Sequence, residues 1–197
     1  TADGLIDINA PVTLGGDITI TSGSGTGNVD FSSTIDGAQA LTLTSGGGNV
    51  VLGGIIGGNT ELSSLVLNST ALTISNNINT NNGLIDINSP VTLGADVVID
   101  SGTGTGNVEF SSTITGGQAL DILSGTGNVI ITGNIGATAL TSLDINQSAG
   151  TGDITLSGDI GASGAAGAGV VRLGNDSLTG TITFGGADYN TSGAQTY

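Results

Sequence analysis

The side chains available for chemistry are almost all carboxylates. Sixteen Asp and Glu residues stand against a single basic residue, Arg172, with no Lys, His or Cys, for a formal net charge of −15. Six acids fall in pairs, at one constant separation in sequence and at matching places in short apolar-alternating segments: Asp7 with Asp30, Asp86 with Glu109, and Asp121 with Asp144. A backbone that returns to the same place at every such step sets each pair about one strand spacing apart, ~4.8 Å. Like charges that close repel, so either solvent screens them or a divalent cation sits between them. Ca²⁺ takes about six to eight oxygen ligands, which makes Asp7, Asp30, Asp86, Glu109, Asp121 and Asp144 candidate calcium ligands. No other cofactor is expected.

Catalysis by the same pairs is not expected. A glycosidase sets its two carboxyl groups roughly 5 to 9 Å apart, but these acids alternate outward on flat segments with no aromatic platform to hold a sugar. Elimination chemistry on acidic polysaccharides wants a strong base beside a bound anion, and one Arg with no Lys or His does not provide it. The charge balance also excludes nucleic acid, because nothing here neutralises a phosphate backbone. No apolar run reaches the length of a membrane span, and any export leader lies outside this sequence.

What positions the acids is a repeat. Residues 3–56 align without a gap on residues 82–135 at a constant offset, with two-thirds of the positions identical. GLIDINAPVTLGGD (Gly4 to Asp17) returns as GLIDINSPVTLGAD (Gly83 to Asp96), and GTGNVDFSSTI (Gly25 to Ile35) as GTGNVEFSSTI (Gly104 to Ile114). One residue is lost near Gly57, after which LSSLVLN (Leu62 to Asn68) matches LTSLDIN (Leu140 to Asn146). The chain reads as a single module, residues 1–197, of duplicated blocks 3–81 and 82–160 and a less regular end, 161–197.

Within each block, glycine-opened units start at Gly4, Gly27 and Gly48, and again at Gly83, Gly106 and Gly127, with the same two gaps in both. Later units open at Gly152 and Gly180. Such spacing, with two or three short Val/Ile/Leu strands per unit, predicts an all-β parallel β-helix (β-solenoid) of about 21–23 residues per coil. Gly, Thr, Val and Asn are poor helix formers and no 3.6-residue period is sustained. Strand parity places Ile6, Ile8, Val29, Phe31, Leu41, Leu43, Val108 and Phe110 inward and Asp7, Asp30, Thr42 and Glu109 outward. About six to eight aliphatics per coil are expected to bury on the coil below, since one coil alone has no core. Roughly nine coils at ~4.8 Å make a rod of about 43 Å. The corners, such as GSGTGN (Gly23 to Asn28) and SGTGN (Ser124 to Asn128), use Gly for positive φ. Their Asn residues bond local backbone, and Asn28 with Asn49, and Asn107 with Asn128, are expected to stack as ladders.

These G-N-V-x-F units, the GTGNV corners and the terminal SGAQTY resemble repeats of large bacterial surface adhesins of the filamentous-haemagglutinin and autotransporter-like kind. The resemblance implies a right-handed helix, export, and a cell-surface or secreted fibre used for adhesion or matrix formation. The hand also follows from the general preference for right-handed crossovers. The resemblance brings no catalytic residue.

The remaining surfaces are weaker candidates. Outward Thr13, Thr19 and Thr42 begin rows that Asp, Val and Gly interrupt. Arg172 and Tyr189, in the irregular end, are candidates for glycan contact, and Ala162 to Gly169 reads as a bulge on the rod. Neither terminus shows a helix or charged segment to cap the core, so two open ends are expected. The partners implied are copies of the chain or neighbouring repeats end to end, and glycans or matrix. A self-assembling filament subunit, stacked head to tail through its ends, is the alternative to an adhesive fibre module.

Overall fold

The computed structural model describes residues 3–148, 150–161 and 165–197. Short strands of two to six residues alternate with glycine-rich corners, and every strand pairing is parallel. Successive strands occupy three faces in turn, so that each lap has a triangular section. The first face stacks Ile6–Ile8, Val29–Phe31, Asn49–Leu52, Ala71–Ile74, Val91–Leu93 and Ile114–Thr115, and continues through single bridges at Ile135, Ile160 and Tyr189. The second runs from Val12–Thr13 and Ile35–Asp36 through Ile56 to Ile78–Asn79, Val97–Asp100, Ala119–Leu123, Leu140–Ile145, Ala168–Leu173 and Gln195–Thr196. The third holds Ile18–Thr21, Ala40–Thr44, Ser64–Asn68, Ile85–Ile87, Val108–Phe110, Val129–Ile131, Ile154–Leu156 and Ile182–Phe184.

Eight laps of roughly 23 residues carry the first face from Ile6 to Tyr189. The count falls below nine because the last two laps on that face, from Ile135 to Ile160 and from Ile160 to Tyr189, are longer than those before them. The core is a column of aliphatics from all three faces, each side chain over its counterpart one lap below. A lap buries five or six rather than six to eight: Val29, Phe31, Ile35, Leu41 and Leu43 in one, and Val50, Leu52, Ile56, Leu62, Leu65 and Leu67 in the next. The smaller number comes from the second face, which in the first of these laps is a two-residue strand that turns only Ile35 inward and in the next turns Ile56 and Leu62 inward.

The duplicated blocks do not lie in phase. Ile6 is on the first face and its counterpart Ile85 on the third; Val12 is on the second and Val91 on the first. The step from Ile6 to Ile85 is three and two-thirds laps, so the second block is turned by one face relative to the first. The corners survive this rotation. The buried hydroxyls of Ser45 and Ser124 donate to the carbonyls of Gly48 and Gly127, at 2.6 and 2.7 Å, although these are different corners of the triangle.

The two ends differ. The last-lap residues Phe184 (third face), Tyr189 (first face) and Tyr197 (just after the second-face strand) follow the inward positions Leu156, Ile160 and Leu173. Phe184 meets the other two rings edge-on, with centroids 4.6 and 5.1 Å apart, a geometry aromatic pairs favour. Three aromatics therefore form a partial plug on this end of the core, which they do not seal, since Phe184 and Tyr197 stay exposed. The first lap has no such plug: Ile6, Ile8, Val12 and Ile20 are only partly buried and Ile18 is exposed. The proposed bulge is shorter than its sequence, since Ala168 and Gly169 already belong to a second-face strand; residues 162–164 lie outside the described residues.

Candidate functional site

Each acid pair forms as expected. Asp7 is the register partner of Asp30 on the first face, Asp86 of Glu109 on the third, and Asp121 of Asp144 on the second. Strand alternation turns all six outward while Ile and Leu neighbours fill the core. The one-face rotation has a direct consequence here: the pairs point in three directions around the rod and do not build a common acidic surface.

The pairs also differ in chemistry. In the first, Asp30 has an oxygen, Oδ1, that is covered and accepts no hydrogen bond. Burial, and secondly the charge of Asp7, raises its pKa above the ordinary carboxylate value. Asp121 repeats this on the second face: its Oδ1 is also unpartnered, and burial, then Asp144, then Asp100 raise its pKa. Its neighbour Asp144 is engaged from the other side by Arg172, one lap further on, with Nη1 2.5 Å from Oδ1. The third-face pair is better served. The Asn88 side-chain amide donates to Asp86 at 3.0 Å and that of Asn107 to Glu109 at 3.0 Å.

Among the described residues no three acids gather in a geometry that could hold a metal ion. Each pair offers two carboxylates on an open strand surface, short of the about six to eight oxygens that Ca²⁺ takes, so water would have to supply most of the shell. The arrangement suits loose, exchangeable counter-ions along the rod.

A different set of acids, which the sequence reading did not single out, has a structural task at the corners. Asp17 and its counterpart Asp96 accept the backbone N–H of Ala40 and Ala119, one lap on, at 2.9 and 2.8 Å. Asp36 accepts from the N–H groups of Asn59 and Thr60 and from the Asn59 amide. Burial by itself would raise the Asp36 pKa, but these donors and the Gly58 N–H outweigh it and hold the carboxyl below its ordinary value. The expected Asn ladders are of the same kind. Asn28 Oδ1 accepts the Asn49 N–H at 3.0 Å, and a longer ladder runs from Asn107 to Asn128, Asp153 and Thr181. Side-chain oxygens thus tie each lap to the next where the strands stop. The available signal was the identity of position: Asp17 and Asp96 precede their strands by one residue in both blocks.

The glycan candidates separate. Arg172 is committed to Asp144, with its side chain still 44% exposed. Tyr189 points into the core end, where its hydroxyl donates to the Leu156 carbonyl and accepts the Gly186 N–H, each at 2.9 Å; it is part of the plug and not a surface platform. Beside that plug a cleft of ≈ 330 Å³ is lined by Gln147, Asn175, Asp176, Leu178 and Tyr197 among others. No described helix is long and apolar enough to cross a membrane. Comparison of the chain with protein-family models, with curated proteins and with solved structures finds no match.

Proposed function

We propose that this chain is a structural and adhesive module of an exported bacterial surface fibre, with no catalytic step. The observation that carries the reading is the continuity of the rod: three parallel sheets run lap on lap around one aliphatic column, tied at the corners by side-chain acceptors. Hydrogen bonds between laps lie along the axis, so axial tension is shared among many of them and the module serves as a spacer that holds its length. An outward coat of carboxylate, Thr and Asn keeps such a rod in solution, and the resemblance to adhesin repeats supports export and contact with glycans or matrix.

The test is binding of the purified chain to immobilised host glycans and matrix polysaccharide, with product release followed in the same samples. Saturable binding with no new reducing ends is the expected result. Release of sugar that disappears in Asp30→Asn or Glu109→Gln would replace this reading with an enzymatic one.

A further inference from the structure

We infer that two copies of this chain stack head to tail in one rotational phase, with the strand Ile6–Ile8 of one copy laid on Ile182–Phe184 of the other, Asp7 over Thr183 and Gly4 over Gly180. Three observations on the rod fix that phase.

The first is the order of the faces. In every lap the chain passes from the first face to the second and then to the third. A strand laid after Gln195–Thr196 in that order falls on the third face, above Ile182–Phe184, and Ile6–Ile8 of a second copy in that place continues the winding without a gap.

The second is an internal precedent. The chain already contains one junction at which a GLIDI strand is laid on a preceding block: Ile85–Ile87 on Ser64–Asn68, with Ile85 over Leu65 and Ile87 over Leu67. That junction is on the third face. Stacking of copies repeats it, with Ile6 and Ile8 over Ile182 and Phe184, and turns each copy by the same two-thirds of a lap that separates the blocks.

The third is a glycine column. Along the third face Gly106, Gly127, Gly152 and Gly180 lie one above another, two residues before each strand. A Cβ on Gly106 would stand 2.5 Å from the Gly83 carbonyl oxygen, and one on Gly180 would stand 2.5 Å from the Gly152 carbonyl carbon, in the lap below. Whatever continues the column above Gly180 must lack a Cβ there. Gly4 stands two residues before Ile6, and its neighbour one lap on, Gly27, approaches it in the same way, with a Cβ placed 2.5 Å from the Gly4 carbonyl. Aliphatic residues over an aromatic are also native to this core, where Phe31 sits between Ile8 and Leu52. The contact covers Ile6, Ile8 and Ile18 at one end and Phe184 and Tyr197 at the other, apolar side chains that a single copy leaves partly or wholly exposed.

The proposal stands beside the adhesive reading, which a glycan-binding measurement tests separately. Copies carrying a net charge of −15 repel, so association is measured by analytical ultracentrifugation in about 1 M salt, where the screening length is about 3 Å. Concentration-dependent growth is expected, with an axial repeat of about 42 Å per copy at ~4.8 Å per lap in electron micrographs. Gly4→Val puts side chain only on the open end, so it is expected to abolish growth and leave the melting temperature of the single copy unchanged. Phase is read by mixing Asp7→Cys with Thr183→Cys chains, since the protein has no cysteine of its own and neighbouring parallel strands fall within the ~4.4–6.8 Å Cα separation of a disulfide. A mixed disulfide is expected from that pair and not from Asp7→Cys with Thr196→Cys. Monomers at every concentration, growth of Gly4→Val equal to that of the parent, or cross-linking through position 196 instead of 183 would each overturn the proposal.

Discussion

Ile6 and Ile85 hold the same place in the two copies of the repeat, yet Ile6 pairs with Val29 on the first face and Ile85 lies between Leu65 and Val108 on the third. A duplication that is not a whole number of laps survives because the corners share their chemistry: a glycine without room for Cβ and an Asn or Asp oxygen reaching the next lap recur at all three, and a serine hydroxyl on a carbonyl at two of them. The faces are interchangeable to the backbone. The outward side chains are therefore dispersed around the axis instead of repeated along one side.

Corner ladders are expected to matter more to stability than the acid pairs do. Asn128→Ala removes the acceptor of the Asp153 N–H, and leaves that donor at a corner where a strand cannot replace it. A loss of about 1 kcal/mol is expected, measured by urea unfolding. Asp17→Ala and Asp96→Ala should each cost a similar amount, being the same contact in the two blocks.

The acid pairs should behave in the opposite sense. Asp30 and Asp121 each carry a covered oxygen with no donor beside a like charge, so Asp30→Asn and Asp121→Asn are expected to stabilise the rod by about 0.5 kcal/mol each, as removal of a like-charged cross-strand pair does. A lower melting temperature for both variants would contradict this.

The pH dependence follows from the same groups. In Asp30 and Asp121 the folded pKa is raised, so the folded chain binds more protons than the unfolded one and stability rises as pH falls from neutrality through the folded values. In Asp36 the folded pKa is lowered; its contribution is present above the unfolded value, about 4, and is lost as pH falls through the folded one. Melting temperatures should climb slightly from neutral to mildly acid solution and then drop. The climb should vanish in the double variant Asp30→Asn, Asp121→Asn.

Glycine is not uniformly needed. A Cβ at Gly127 would overlap the Gly106 carbonyl, whereas one at Gly117 would meet no atom within 4 Å. Gly127→Ala should cost about 1–3 kcal/mol, the usual penalty for overfilling a packed site, and Gly117→Ala should be neutral or slightly stabilising through its effect on the unfolded chain. Thermal unfolding of the two variants side by side checks both.

Calcium provides a further check. Each pair supplies two carboxylates, and Asp144 is already engaged by Arg172. Ca²⁺ at about 1 mM, the weak end of protein calcium sites, is expected to move the melting temperature no more than the same ionic strength of a sodium salt. A specific rise, lost in Asp86→Asn with Glu109→Gln, would show that water completes a true calcium shell on the third face.

The register of the acid pairs was legible in the sequence because it needs only a local period: the step from Asp7 to Asp30 is one lap wherever the lap begins. The face on which each pair lies was not legible. The gap between the glycine-opened units at Gly48 and Gly83 is the longest in the chain, and nothing in the residues between shows that it is one lap and two-thirds. The aromatic plug was hidden for the same reason. Phe184, Tyr189 and Tyr197 have no common spacing, and they converge only when each is placed on its own face. The corner role of Asp17 and Asp96 was missed because an acid before a strand reads equally well as a solvated surface charge.

The lap-on-lap winding with its one-face turn is tested most directly by a pair of engineered disulfides read by intact mass. The account places Asp86 beside Val66 on the third face, so Val66→Cys with Asp86→Cys should oxidise to an internal disulfide in nearly all molecules. Units that opened on one face at every glycine would instead set Asp86 beside Val51; oxidation of Val51→Cys with Asp86→Cys, and none of the first pair, would contradict it.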